Sequence, residues 1–212
     1  MSPSIKKLVK KIPGTDRIAH AMGLVSNPLE DRAFLLEMLP KNSVGAEIGV
    51  HKGEFSEKIL EVVHPKQLHL IDPWKHESSA VYQCALYGGQ AKNGQDEMDR
   101  RCADVCARFQ AQMSGEQVKI HRGFSTDVLG RFADDFFDWV YIDGNHLYDY
   151  VKKDIDLSFR KTKIGGWVTG DDYMEGGWWE GGVKKAVDEF AKTPAAQLVE
   201  IRNNQFVFRR KS

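Results

Sequence analysis

The sequence predicts an α/β fold: a doubly wound, mostly parallel sheet with helices on both faces and one antiparallel edge. Three observations carry this. Short apolar runs alternate with amphipathic stretches five times along the 212 residues, the pattern of repeated strand–helix units. The last two runs, 198–202 and 205–209, are separated only by Asn203-Asn204, a tight hairpin that turns the final strand straight back on its neighbour. Two further runs end in acidic clusters, and open α/β sheets collect ligands beyond the carboxyl ends of their strands.

Residues 1–41 read as a basic arm followed by a helix. Lys6, Lys7, Lys10 and Lys11 interleave with Ile5, Leu8, Val9 and Ile12. That pattern describes either a short basic amphipathic helix touching a membrane or partner, or a solvated arm packing on its own domain or on a second subunit of a homo-oligomer. Asn27-Pro28-Leu29-Glu30 supplies a cap, a first-turn proline and an acid three residues after the cap, so a helix should run to about Met38 and stop before Pro40. Val44 to Val50 reads as the first strand. His51-Lys52-Gly53 and an amphipathic helix from Glu54 to Val63 follow. The second strand, Leu68 to Ile71, ends at Asp72-Pro73.

The stretch 74–115 is too long for a bare connection. Its second half, Asp96 to Met113, has a helical pattern, so a lid-like helical insertion is expected here. Val118 to His121, Asp138 to Ile142 and Trp167 to Gly170 are the third, fourth and fifth strands. A helix from Tyr148 to Phe159 joins the last two, and another from Val183 to Ala191 leads to the hairpin.

Composition excludes several classes. Thirty basic and 30 acidic side chains balance, so no global field selects nucleic acid or an acidic partner. Cys84, Cys102 and Cys106 lack a CxxC spacing and read as buried reduced thiols, in keeping with a cytoplasmic protein. No apolar run approaches the ~20 residues of a membrane span. The first residues lack the apolar core and cleavage pattern of a signal peptide.

The chemistry concentrates at the strand ends. Phe137 to Ile142 runs into Asp143-Gly144-Asn145-His146, and Gly165 to Gly170 runs into Asp171-Asp172-Tyr173. Neighbouring strands lie roughly 4.8 Å apart, so carboxylates at two tips can share one cation. Asp143, Asp171 and Asp172 thus form a candidate all-oxygen site of the kind magnesium prefers; each could instead cap the helix or turn that follows. His146 is a candidate general base, its unperturbed pKa of ~6.5 suiting proton abstraction near neutrality, or else a histidine that hydrogen-bonds behind the acids. Glu47-Ile48-Gly49-Val50-His51-Lys52-Gly53 puts two glycines across the first strand-to-helix turn, where backbone can approach a ligand closely. The GxGxxG spacing for pyrophosphate is absent, and the acidic strand end suits a ligand bearing an amine. Asp72 stands where an acid accepts ribose hydroxyls, or caps the turn before Pro73. In the loop 175–182, Trp178 and Trp179 lie between glycine pairs and offer flat faces to a sugar or aromatic ring, or pack against the sheet edge.

In this order, Glu47-x-Gly49-x-x-x-Gly53, Leu70-Ile71-Asp72-Pro73-Trp74, Tyr141-Ile142-Asp143-Gly144-x-His146-x-Tyr148 and Gly170-Asp171-Asp172-Tyr173 resemble the motifs of class I S-adenosylmethionine-dependent methyltransferases. The resemblance covers roughly residues 42–210. It is nearest to the branch of macrocin-type and aminocoumarin-type O-methyltransferases and cephalosporin-hydroxylase-like proteins. It implies a Rossmann-like, seven-stranded sheet of order 3-2-1-4-5-7-6 with strand 7 antiparallel, in a domain spanning 42–212. It also implies that Glu47, Gly49 and Gly53 line the methionine part of S-adenosylmethionine and that Asp72 holds the ribose. Ser125, in Gly123-Phe124-Ser125, would lie near the adenine, although it equally suits a cap for the following helix. Trp74 would pack on the adenine or pocket wall, or in the core.

In metal-dependent members of the branch, three acids after the fourth and fifth strands hold a divalent ion, usually magnesium. They match Asp143, Asp171 and Asp172. Some relatives carry an acid, there a proposed base, where this chain has Asn145. That leaves His146 or the ion alone to deal with the acceptor proton. The expected function is methyl transfer to a hydroxyl of a sugar-containing or polyhydroxylated small metabolite. Two alternatives stand beside it. A Rossmann-type nicotinamide oxidoreductase would need GxGxxG and usually a further catalytic domain; a non-catalytic cofactor-binding protein would not need the intact acids.

Overall fold

The computed structural model describes residues 31–211. The basic arm and the Asn27-Pro28 helix start lie outside the described residues. In chain order the elements are α1 (Ala33–Met38), β1 (Val44–Ile48), α2 (Glu54–Val63), β2 (Gln67–Asp72), a 3₁₀ turn (Ala80–Tyr82), α3 (Gly94–Arg108), α4 (Gln110–Ser114), β3 (Val118–Arg122), α5 (Ser125–Leu129), β4 (Phe137–Ile142), α6 (Tyr148–Lys161), β5 (Thr162–Gly170), α7 (Gly182–Phe190), β6 (Ala196–Arg202) and β7 (Gln205–Arg210).

The strands form one sheet in the order β3-β2-β1-β4-β5-β7-β6, with β7 antiparallel to both β5 and β6. This is the order and polarity that the resemblance implies. Side chains alternate between the faces of each central strand. In β4, Trp139 and Tyr141 join one core, with Leu35, Ile59, Leu70 and Val105. Val140 and Ile142 join the other, with Ile48, Ile155, Val168 and Val187. Helices α1, α2 and α3 cover the first face; α5, α6 and α7 cover the second. Each large apolar side chain buried this way contributes roughly 1.5–3 kcal/mol, which is why a sheet wrapped on both sides reads as near-continuous apolar runs.

Element ends differ from the sequence reading where glycine intervenes. Strand β1 stops at Ile48, two residues early, because Gly49 turns the chain at φ 87°. A Cβ there would lie 1.9 Å from the Asp143 carbonyl oxygen, so only glycine lets the tips of β1 and β4 come together. Strand β5 begins at Thr162, and its register with β4 jumps between the Phe137↔Thr162 and Trp139↔Trp167 pairs. Asn203 and Asn204 both have positive φ, 51° and 61°, as a two-residue mirror-image turn requires.

The 74–115 stretch divides into unlike halves. Helix α3 is an ordinary crossover from β2 to β3, with Met98, Val105 and the adjoining Phe109 in the first core. The 3₁₀ turn and its flanks instead lie over the strand tips. Trp74 belongs to the core: it is fully buried, and its indole N–H donates to the His51 carbonyl at 2.9 Å. The thiols depart from expectation. All three are free, but Cys84 is exposed and Cys102 and Cys106 are only half-buried, because Cys84 rides on the covering segment rather than in the core. Among the described residues, no helix is long and apolar enough to cross a membrane.

Candidate active site

A cavity of ≈ 660 Å³ opens at the carboxyl ends of the strands. Its wall includes a first group, Glu47, Gly49, Asp72 and Ser125, and a second, Arg32, Asp143, His146 and Asp172; the two ends meet where Gly49 abuts Asp143. Gly53 and Asp171 do not reach its wall.

The first end is built from satisfied polar groups. Glu47, at the tip of β1, is buried and accepts a hydrogen bond from the Ser56 hydroxyl at 2.5 Å. Burial pushes its carboxyl up to about 8, against the Ser56 hydrogen bond. Asp72 ends β2 fully buried. Its Oδ2 accepts the N–H groups of Val50 and His51, at 2.8 and 2.9 Å, and the Tyr87 hydroxyl. Its Oδ1 accepts the N–H of Trp74 at 2.7 Å. Burial raises the Asp72 pKa, and these hydrogen bonds oppose it. Three donors are backbone, so Asp72 ties down the turn; the Tyr87 hydroxyl is the one a ligand hydroxyl could exchange with. Gly53 starts α2 at φ 76°, and a Cβ there would meet the Phe109 ring at 2.8 Å. Its place is the helix start and the seam with α3.

Ser125 makes no capping bond. It is the first residue of α5, and its hydroxyl donates to Asp154 Oδ1 at 2.5 Å. Asp154, on α6, also lines the cavity, and burial drives its carboxyl up to about 7. Sequence reasoning missed Asp154, because a lone acid on an amphipathic helix carries no motif.

The second end is crowded with charge. Asp143 follows β4, and its N–H donates to the Ile48 carbonyl at 2.7 Å. Asp143, His146 and Asp172 each present one ligand atom, all within 4.8 Å of one another. His146 Nε2 lies 3.5 Å from Asp143 Oδ1, and Nδ1 lies 3.3 Å from Asp172 Oδ2. At those separations neither buried ring nitrogen has a hydrogen-bond partner. Burial opposes charge on His146, but Asp143 and Asp172 outweigh it and the pKa rises. Asp172 holds a left-handed backbone at φ 60°.

Asp171 is engaged elsewhere. Its Oδ1 accepts the Asp172 N–H at 2.7 Å and the Gln205 amide; its Oδ2 accepts Arg32. The other Arg32 nitrogen donates to Asp143 Oδ2 at 2.9 Å. Arg32 therefore spans two of the three expected metal ligands, with its guanidinium 5.3 Å from the Phe55 ring centroid and 5.9 Å from that of Tyr141. Burial disfavours its charge, yet Asp143, Tyr141, Asp171 and Asp172 together raise its pKa. Burial and Asp143 raise the pKa of Asp171; burial does the same for Asp172. Nothing in the sequence pattern flagged Arg32.

Helix capping does not account for Asp143. Helix α6 has no side-chain cap at Leu147, and the nearest side-chain bond, at 3.0 Å, runs from the Leu147 N–H to Asn145. The donor set fits a divalent cation: the Asp143 and Asp172 carboxylates face one point, with the His146 ring beside them, in surroundings that disfavour bare negative charge.

An aromatic wall closes this end. Trp178 lies 5.3 Å from Tyr82 and 5.7 Å from His146, and Trp179 lies 4.9 Å from His146, centroid to centroid. The Asn145 amide donates to the Tyr82 hydroxyl at 2.8 Å. The covering segment and the glycine-rich loop thus meet across the cavity.

A family profile described as a methyltransferase domain matches residues 46–173. No curated protein matches the chain by sequence. Among solved structures, a protein from Corynebacterium glutamicum shares the fold at TM-score 0.60 and 15% identity, covering 100% of this chain and 91% of that one. The O-methyltransferase NovP does so at TM-score 0.55 and 21% identity, covering 87% and 76%. The methyltransferase PaMTH1 of Podospora anserina, bound to SAH, does so at TM-score 0.57 and 16% identity, covering 98% and 86%.

Proposed function

The chain belongs to the methyltransferase-domain family, and on that premise we propose that it methylates a hydroxyl of a sugar-containing or polyhydroxylated small metabolite, assisted by a divalent ion, in the first instance magnesium. S-adenosylmethionine, when bound, supplies the electrophilic methyl, so the protein's share is binding, orientation and proton removal. Glu47, Gly49, Asp72 and Ser125 are the residues we assign to it, with Gly53 shaping the turn behind them rather than touching it. Burial favours neutral Glu47, whereas an ammonium beside it favours the carboxylate, so residue and ligand are complementary. Asp72, through exchange with Tyr87, is suited to ribose hydroxyls.

Asp143, Asp171 and Asp172 are assigned to the ion, which when bound lowers the pKa of an acceptor hydroxyl. His146 takes the acceptor proton, and Asp143 and Asp172 on either side stabilise the imidazolium that results. Asn145 has no proton-accepting role; it holds Tyr82 over the cavity. Trp178 and Trp179 give a ring face to stack on. The balanced charge favours a free cytoplasmic metabolite over nucleic acid.

One observation carries this reading: Asp143, His146 and Asp172 converge in the same cavity whose other end presents Glu47 and Asp72. The test is transfer of labelled methyl to a panel of polyhydroxylated acceptors, before and after exhaustive chelation. Transfer should vanish with chelation and return with magnesium or manganese. Turnover indifferent to chelation removes the ion, and labelling confined to amines removes the hydroxyl acceptor.

A further inference from the structure

We infer that Arg32 is a tethered cation that competes with the divalent ion for Asp143 and Asp171, so that ion loading and docking of the segment entering α1 exclude one another. This rests on the proposed metal-assisted reading. Asp171 has one oxygen filled by Gln205 and the Asp172 N–H, and the other by Arg32. It can ligate an ion with that second oxygen only after the guanidinium leaves. Asp143 is divided in the same way, with Oδ2 on Arg32 and Oδ1 towards His146.

Charge says the cluster is unfinished. Three carboxylates face one guanidinium and the His146 ring, whose nitrogens lie 3.5 and 3.3 Å from Asp143 and Asp172 without forming hydrogen bonds. A single tethered positive charge therefore neutralises part of the cluster and leaves the Asp143–His146–Asp172 side open.

The exchange is mechanically simple. Leu35 and Leu36, a turn later, are core residues, and Phe34 is stacked under Arg202 at 4.6 Å. Before them, the Asp31 carbonyl accepts the Asn203 amide at 3.1 Å and the Arg32 carbonyl accepts the Leu35 N–H at 3.0 Å. Rotation of the Arg32 side chain, at the cost of loosening this first turn, would free the acids while the Leu35 and Leu36 packing of α1 holds. What Arg32 gives up, charge-assisted hydrogen bonds and two aromatic faces, sets the strength of the competition.

Linkage makes the test symmetrical, since whatever factor Arg32 costs the ion, the ion costs Arg32. Manganese binding to the wild-type protein and to Arg32→Gln is measured by loss of the free-ion paramagnetic resonance signal, with no acceptor present. The variant should bind about tenfold more tightly. In the wild-type protein, saturating manganese should accelerate amide hydrogen exchange at residues 31–34, a readout that does not depend on the variant folding. Equal or weaker binding by Arg32→Gln, or unaltered exchange in the wild-type protein, overturns the inference. If neither protein binds manganese, the inference and the ion both fall. S-adenosylhomocysteine titrations in the same samples then show whether cofactor binding stands without them.

Discussion

The two ends of the cavity solve the same problem, a buried carboxylate, in opposite ways. Asp72 is enclosed by four donors, three of them backbone N–H groups of its own neighbourhood. Asp143, Asp171 and Asp172 face one another, with a single arginine between two of them and an unpartnered histidine beside them. Backbone donors come with the fold and stay; mobile counter-charges can be exchanged. The first end is therefore preorganised, and the second is a place where occupants compete. Two histidines of the cavity express the difference. Burial, Arg101 and Lys52 drive His51 down to about 4, while Asp143 and Asp172 carry His146 upward against burial.

The comparison breaks most visibly through Asp143. Asp143→Asn should lower kcat/KM on the order of 10³-fold, the scale of losing a preorganised electrostatic group at a reacting centre. Calorimetric affinity for S-adenosylhomocysteine should stay within about threefold, because the Asp143 carboxylate pairs with Arg32 and His146 while its backbone, which abuts Gly49, is unchanged. A large loss of cofactor affinity in that variant would mean that the two ends are not separate. Asp72→Asn should do the converse. Its amide would turn two hydrogens towards buried N–H donors, costing about 2 kcal/mol of unfolding free energy and weakening S-adenosylhomocysteine about tenfold. A variant as stable as the wild type would deny Asp72 its part in holding the turn.

The smallest effect is a pH dependence. His51, with a folded pKa below the unfolded ~6.5, stabilises the protein fully above pH 6.5 and loses that contribution as pH falls towards 4. His69, buried against His121 and also driven down to about 4, behaves likewise. His146 has the opposite sign: its contribution is whole below ~6.5 and fades as pH rises through the raised folded value. Between pH 6 and pH 5, denaturant midpoints should drop by the equivalent of about 1 kcal/mol per depressed histidine. Ring-proton shifts by NMR should show His51 silent down to about pH 5 and His146 titrating above ~6.5. A common midpoint near 6.5 would erase the contrast.

Most of the sheet was legible because buried parallel strands write themselves as apolar runs and their tips as glycine and acid. Asp143, His146 and Asp172 were readable for that reason: each sits within four residues of a strand end. What escaped was carried by helices and by the cover. Arg32 and Asp154 reach the cavity from α1's approach and from α6, where a charged residue at a polar position looks like ordinary solvation. The 74–115 stretch read as one insertion, because sequence length does not distinguish a core helix from a flap; the burial of Met98 and Val105 does. Cys84 read as buried for want of any signal that its segment lies on the surface.

Strand β7 follows β6 in the chain yet lies inside it, between β5 and β6. Its first residue, Gln205, steadies Asp171, and the preceding Asn204 carbonyl accepts the Tyr173 N–H at 2.8 Å. During synthesis, then, every acid of the cluster leaves the ribosome after Arg32 but before Asn204 and Gln205. A nascent chain up to Arg202 would carry the complete set of acidic groups with the β5 edge still open and Asp171 lacking Gln205.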